Sequence, residues 1–74
     1  MAMGIEIQRG QRVLARTSAS KLLPRRAVTE VVPGDDFPIV WICREEEWEL
    51  AERERRSPQA VPWPANAVQP DQSA

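Results

Sequence analysis

The chain contains a single cysteine, Cys43, and no histidine. Domains of about this length, 74 residues, bury little apolar surface and often depend on disulfides or a structural zinc ion. One cysteine excludes an internal disulfide, and the count of zinc ligands excludes a zinc site. The fold must therefore be held by apolar packing, for which tryptophans are the largest contributors. We expect the core to form around Trp41, Trp48 and Trp63.

The first half of the chain carries patterns that are typical of β-strands. A short, frayed strand is expected around Ile5 and Ile7, and the alternation in QRVLART predicts a longer strand over residues 11–17. A polar loop of hairpin length, TSASK, then leads into a predicted strand over residues 22–32. Because Pro24 cannot donate a ladder hydrogen bond, the start of that strand should lie at an edge or a bulge.

The segment VVPGDDF predicts a reversal of the chain. Pro33 and Gly34 suit the two central positions of a type II turn, where proline presets φ and glycine tolerates a positive φ. The following run FPIVWIC, residues 37–43, is apolar without alternation. Such a run is typical of a strand covered on both faces, so we predict it to be the central strand.

The segment REEEWELAERERRSP predicts a helix near residues 44–57, because strong helix formers fill it and Ser-Pro ends it. Glutamates at its start and arginines at its end match the helix dipole. Its apolar face is thin, so Trp48 must dock it against the sheet, and Arg44 is a poor N-cap. A short strand over residues 65–68 should follow a proline-rich connection.

The segment PWPANAV resembles the closing segment of Src-homology-3 domains, where a proline begins a tight helical turn and the next strand completes a small barrel. The resemblance implies that Trp63, Pro64, Asn66 and Val68 occupy the corresponding places. The chain has no tyrosine and no acidic first loop, so the resemblance extends to topology and not to binding of proline-rich peptides. With RVLAR, GDDFPIVWICREEEW and PWPANAV, the whole chain also resembles short uncharacterised proteins of actinobacteria and their phages.

Together these elements predict a mainly-β fold with one helix. We expect a small, partly open, Src-homology-3-like barrel of four to five strands, with the helix before the last strand. Residues 1–69 should form a single domain, and residues 70–74 a flexible C-terminal tail.

Residues that commonly carry catalysis are scarce. There is no histidine to act as a general base, and Cys43, at the end of an apolar run, is expected to be a buried thiol. Asp35 and Asp36 stand beside Pro-Gly, where aspartate is an ordinary turn residue. Three scattered glycines form no phosphate-binding motif. We therefore expect no enzymatic activity, no cofactor and no metal ion.

Two features are candidates for binding. The prolines Pro62 and Pro64 flank Trp63 and can hold its ring at the surface, where together with Trp48 it would form an aromatic groove for a protein partner. The second feature is a basic stretch over residues 9–26, in which five residues are candidates for contact with nucleic-acid phosphates. These five are Arg12, Arg16, Lys21, Arg25 and Arg26.

The favoured function is a non-enzymatic binding or accessory module that contacts another protein. The alternatives are nucleic-acid binding through the basic stretch, and a structural role in a larger, phage-derived assembly through an unpaired sheet edge. The net charge of −1 points to no particular partner. The longest apolar run is too short for a membrane span and the N-terminus lacks the pattern of a signal peptide, so we expect a cytoplasmic protein.

Overall fold

The computed structural model describes residues 6–71 of the chain. In this range the fold is mainly β: five strands form one antiparallel sheet in the order β4-β3-β2-β1-β5, and one helix packs against it. This confirms the predicted class. The elements in chain order are β1 (Arg12–Arg16), β2 (Leu22–Ala27), β3 (Ile39–Cys43), α1 (Glu45–Glu54), β4 (Val61–Pro64), a 3₁₀ turn (Ala65–Ala67) and β5 (Val68–Pro70).

The first hairpin joins β1 and β2 as the alternation predicts. Its turn is closed by the Thr17 N–H, which donates to the Lys21 carbonyl oxygen at 2.8 Å. The Thr17 hydroxyl oxygen accepts hydrogen bonds from the N–H groups of Ala19 and Lys21, both at 3.2 Å. These local bonds satisfy backbone donors of the loop that have no partner in the sheet, and so they fix the register of the hairpin.

The second strand is shorter than predicted, because β2 ends at Ala27 rather than continuing to residue 32. Val28 still donates to the Trp41 carbonyl oxygen at 2.7 Å, but pairing resumes only where Val32 lies opposite Ile39. Residues 28–31 on one side of this gap therefore lie opposite residues 40–41 on the other, which makes an irregular bulge larger than the usual one-residue insertion. The Thr29 hydroxyl accepts the hydrogen bond of the Trp41 N–H within it, at 3.3 Å.

The chain reverses between Val32 and Ile39, but the predicted type II turn is wrong. Gly34 does not have a positive φ; among the described glycines only Gly10 does, at 86°. Gly34 is required for space instead, since a Cβ atom there would collide with the Phe37 carbonyl oxygen. The tight packing of this loop therefore decides the residue at position 34.

The core lies on one face of the sheet. Val13, Ala15, Ala27, Val40, Ile42 and Val68 form it together with Ile7, and Trp63 and Ala65 pack against it. The short strand predicted around Ile5 and Ile7 is not observed over residues 6–8, although Ile7 is buried; Ile5 lies outside the described residues.

The helix α1 covers residues 45–54 and so ends before the predicted boundary at residue 57. Arg55 adopts a left-handed conformation, with φ at 55°, and its N–H returns to the carbonyl oxygens of the last turn. No side chain caps the helix at Arg44, as expected. Trp48 and Ala51 are buried, which confirms that Trp48 docks the helix.

The end of the chain contains one strand that the sequence pattern did not predict. Residues 61–64, expected to be a proline-punctuated connection, form the edge strand β4 beside β3. The last strand begins at Val68 rather than residue 65, because Ala65–Ala67 form a 3₁₀ turn after Pro64. Pro70, predicted to begin the tail, belongs to β5, and the Asp71 N–H donates to the Arg12 carbonyl oxygen just beyond it; residues 72–74 lie outside the described range.

The predicted position of Trp41 is wrong. Val40 and Ile42 point into the core, so the intervening side chain projects from the opposite face and is 37% exposed. The strand β3 has a neighbour on each side, but only one of its faces is covered at this point. The apolar run 37–43 therefore does not mark a strand buried on both faces.

Candidate protein-binding surface

An apolar surface lies on the outer face of β3 and β4. Residues directly opposite in an antiparallel pair project on the same face, and Ile39 pairs with Pro64 while Trp41 pairs with Pro62. Phe37, in the loop before β3, is 52% exposed beside them. We call these five residues the apolar patch. It unites two of the predicted binding residues, Pro62 and Pro64, with two aromatic residues that were not predicted to bind.

The apolar patch includes two shallow depressions. The residues that line the first, of about 280 Å³, include Phe37, Ile39, Pro62, Trp63 and Pro64. The second, about 390 Å³, lies on the other side of the Trp41–Pro62 pair and is lined by Trp41 together with Val28, Thr29, Pro58 and Ala60. Because Trp41 and Pro62 are cross-strand neighbours, the two depressions adjoin and offer adjacent places for two apolar side chains of a partner.

The patch is held rigidly. Its strand β3 is hydrogen-bonded on both sides, and Pro62 and Pro64 have fixed φ angles. The Trp41 N–H is itself bonded to the Thr29 hydroxyl. A partner would therefore order little backbone on the strands of this surface, which lowers the entropic cost of association.

Two carboxylates lie at one end of the apolar patch. Asp35 and Asp36 are exposed and line the same depression as Phe37. Within residues 6–71, neither forms an ion pair with a basic side chain. Their position in the loop agrees with the prediction that they are turn residues. Their negative charge favours a partner that carries lysine or arginine next to its apolar side chains.

Trp63 occupies a different position from the one predicted for an exposed anchor. It pairs with Val40, so its ring projects toward the core face and is half-buried there. Its indole N–H donates to the carbonyl oxygen of Arg16 at 3.0 Å. Arg16 lies on β1, three positions away from β4 in the sheet, so the sheet curls strongly between these strands.

Trp48 does not contribute to the apolar patch. Its ring lies beneath Gly10, where an added Cβ atom would be 3.3 Å from the indole, and the Arg26 guanidinium stacks 5.2 Å from the ring centroid. These contacts are separate from those of Trp63 with Arg16 and Val40. The structure thus does not bring Trp48 and Trp63 together in an aromatic groove.

Two of the five basic candidates are engaged by the helix. Arg26 donates from Nε to Glu45 at 3.0 Å and from Nη1 to the Gly10 carbonyl oxygen at 2.8 Å. Arg12 lies 3.8 Å from the other oxygen of the same carboxylate, within ion-pair range but too far for a hydrogen bond. These contacts join β1, β2 and α1, so both arginines have a structural role.

The other three basic candidates do not share one surface. Arg25 lies opposite Val13 and therefore projects on the core face of β2. Arg16 projects on the outer face of β1, and Lys21 lies in the hairpin turn. Both side chains are exposed. The alternation of side chains along β1 and β2 thus divides the basic stretch between two faces and the hairpin turn.

The edge strand β4 offers no backbone N–H group to a further strand. Residues of an antiparallel strand alternate between those bonded to the neighbour and those that face away. The Ala65 N–H donates to the Pro38 carbonyl oxygen at 2.9 Å, which places Trp63 and Val61 among the residues bonded to β3. The outward positions are Pro62 and Pro64, which have no N–H group.

The opposite edge, β5, has the same property. The Asp71 N–H bonds to Arg12 at 3.0 Å, so the alternation assigns Gln69 to bonding with β1. The Val68 N–H is used by the 3₁₀ turn, and Pro70 has no N–H group. Both edges therefore present only carbonyl oxygens along these strands, which disfavours the addition of a strand from another molecule.

Among the titratable groups of the described range, Cys43 and Glu47 have shifted pKa values. Cys43 is buried, as predicted, and burial raises the pKa of its thiol, assisted by the nearby Glu47 carboxylate. The pKa of Glu47 itself is lowered, chiefly by the hydrogen bond from Arg56 and then by the Gln59 N–H. No group of three or more histidine, cysteine, aspartate or glutamate residues within 6–71 is placed to hold a metal ion.

Sequence patterns missed the two aromatic residues of the apolar patch, although one signal was present. In the run IVWIC, the side chains of Val40 and Ile42 can face a core only if Trp41 faces away. We interpreted this run as a strand covered on both faces, and under that interpretation Trp41 is buried whichever way its side chain points. Within residues 6–71 the sheet has one α-helix to cover its second face, and α1 packs elsewhere, over β2.

Comparison of the chain with protein-family models, with curated proteins and with solved structures found no match. In the range 6–71, the helix is too short and too polar to cross a membrane.

Proposed function

We propose that this protein is a non-enzymatic binding module whose apolar patch contacts a segment of another protein. The observation that carries the proposal is the exposure of Phe37 and Trp41 beside two prolines on one rigid face. Large apolar side chains that are exposed next to one another are typical of protein interaction surfaces. Aromatic residues in such surfaces commonly supply most of the binding free energy.

The charges beside the apolar patch define the chemistry of the partner. Asp35 and Asp36 would contact a lysine or an arginine, while the two depressions take apolar side chains. We therefore expect a short partner segment that has two apolar residues and an adjacent cation. The apolar contacts should supply most of the affinity, and the exposed carboxylates should supply orientation and the rate of association.

For the architecture of the sheet, we propose a partly open, Src-homology-3-like barrel in which β5 closes against β1. The pairing of these strands and the hydrogen bond from Trp63 to Arg16 support this interpretation. In such an arrangement the apolar patch lies on the outside of the barrel wall, where a partner can reach it.

The other two functions have less support. Nucleic-acid binding requires several unpaired cations on one surface, whereas Arg12 and Arg26 contact Glu45 and Arg25 projects on the opposite face from Arg16. Assembly through a sheet edge requires N–H donors that the outward positions of β4 and β5 lack. A cytoplasmic location remains an expectation from the sequence.

A displayed library of random peptides tests the proposal and requires no candidate partner. The whole chain serves as bait, and we expect the selected peptides to contain two apolar residues and a lysine or arginine. Trp41→Ala should weaken the binding of a selected peptide by about thirtyfold, because an aromatic hot spot contributes about 2 kcal/mol. Asp35→Asn together with Asp36→Asn should weaken it less and should reduce its salt dependence.

Leu22→Ala is the matched control. Leu22 is 47% exposed on β2 and lies outside the apolar patch, so the substitution removes a comparable exposed apolar side chain. Its effect on the affinity should be less than about twofold. Selection of acidic peptides without apolar residues, or equal effects of Trp41→Ala and Leu22→Ala, would contradict the proposal.

A further inference from the structure

A concavity distinct from the two depressions of the apolar patch lies on the core face of the sheet. It is an open cleft of about 460 Å³ that is lined by residues of β1, β2, β3 and β4 and of the first turn of the helix. Leu23, Ile42, Val61 and Trp63 form its apolar wall. Val61 is 54% exposed there, although it projects on the same face as the buried Ile42. The core face is thus left uncovered at this end.

The charges at the rim of the cleft are unbalanced. Arg25 lines it, and its only described side-chain hydrogen bond is from Nη1 to the Pro24 carbonyl oxygen, at 2.7 Å. Arg44 lines the cleft as well, and neither arginine forms an ion pair with a carboxylate within residues 6–71.

The one carboxylate that lines the cleft, Glu47, already has a basic partner. Glu47 lies 2.6 Å from Arg56 and accepts a hydrogen bond from the Gln59 N–H at 2.8 Å. These contacts lower its pKa and hold it as an anion. Arg25 and Arg44 outnumber this single carboxylate among the residues that line the cleft, so the cleft keeps an excess of positive charge.

We propose that the cleft binds a small organic anion, whose apolar body packs on Leu23, Val61 and Trp63 while its anionic group contacts Arg25. The volume lies in the range that small-molecule sites occupy. A guanidinium presents paired donors that match a carboxylate, sulfonate or phosphate group. The cleft shares Trp63 and Ala60 with the depressions of the apolar patch, but Leu23, Arg25 and Val61 line the cleft alone, so substitutions at these three residues test the cleft separately from the peptide site.

Anilinonaphthalene sulfonate is a suitable probe, because it combines an apolar aromatic body with one anionic group. N-phenyl-naphthylamine is the matched neutral probe, with a similar body and no anionic group. We expect the whole folded chain to bind the sulfonate at one site, with an affinity at least about tenfold higher than for the neutral probe. Methyl resonances of Leu23 and Val61 should shift on titration with the sulfonate, and those of Ile39 should not.

Arg25→Gln tests the charge of the site. It should reduce the affinity for the sulfonate by about tenfold and leave that for the neutral probe unchanged. Arg16→Gln is the control, because Arg16 is an exposed arginine that lies outside the cleft; its effect should be less than about twofold. The urea midpoint of each variant establishes that it is folded at the concentrations used.

The proposal is overturned if the two probes bind equally well, or if Arg25→Gln and Arg16→Gln weaken the sulfonate equally. Resonance shifts confined to Ile39 would also overturn it, because they would place the probe on the apolar patch. Trp41→Ala separates the two sites: it should weaken binding of the selected peptide and leave binding of the sulfonate unchanged. Failure of the peptide selection would leave this result intact.

Discussion

The hydrogen bond from the Trp63 indole to Arg16 is the most informative contact to remove. It spans 3.0 Å between an edge strand and a strand three positions away, so it ties the two halves of the curled sheet together. Trp63→Phe keeps an aromatic ring against the core cluster, beside Val40, but removes the N–H donor. The substitution therefore removes the hydrogen bond while most of the packing of the ring is kept.

The expected cost follows from the two losses. A hydrogen bond of this kind contributes about 0.5–1.5 kcal/mol to stability, and the smaller ring leaves part of a half-buried site unfilled. Together these effects should lower the free energy of unfolding by about 1–2 kcal/mol. For a domain of this size each kcal/mol corresponds to about 4–8 °C in Tm, so the midpoint should fall by roughly 5–15 °C.

Urea and thermal unfolding followed by far-UV circular dichroism measure this change directly. Trp41→Phe is the control: it makes the same chemical change at a side chain that is 37% exposed, and it should cost less than about 0.5 kcal/mol. Equal losses in the two variants, or a Trp63→Phe protein as stable as the parent, would refute the assigned role of the indole in holding the curled sheet.

Three further substitutions test the packing of the helix. Gly10→Ala should destabilise the fold by about 1–3 kcal/mol, since it forces an L-residue to φ 86° and brings a Cβ atom against the helix indole; unfolding in urea measures this. Arg26→Gln should cost about 1–3 kcal/mol in the same assay, because it breaks the ion pair with Glu45, and a cost near zero would contradict its structural role. The lowered pKa of Glu47 means that its contribution to stability is present above the unfolded pKa of this carboxyl group and is lost as the pH falls through the folded value. Urea midpoints between neutral and acid pH should therefore fall less steeply in Glu47→Gln than in the parent, and identical pH profiles would argue against the contact with Arg56.

Local sequence determined several parts of this protein. The first hairpin, the helix and the chain reversal before β3 follow from alternation, helix propensity and turn residues, all of which act within a few neighbours. The burial of Trp48 also follows, because the helix has few other apolar residues to bury, and that of Cys43 follows from its position at the end of an apolar run. The strand at residues 61–64 was missed because its two prolines argue against a strand unless they face outward at an edge, and that position exists only in the assembled sheet.

The tertiary structure alone decided which faces are covered. The alternation in IVWIC places Trp41 on the face opposite to Val40 and Ile42, but which of these two faces is buried depends on how β3 and β4 pair and on where the helix docks. The same holds for the basic stretch, whose arginines are close in sequence but project on opposite faces of the hairpin. The alternation of side-chain direction along a strand is a local property, whereas contacts between distant segments decide which face of the sheet is buried. The apolar patch and the arginine-lined cleft are both consequences of that choice.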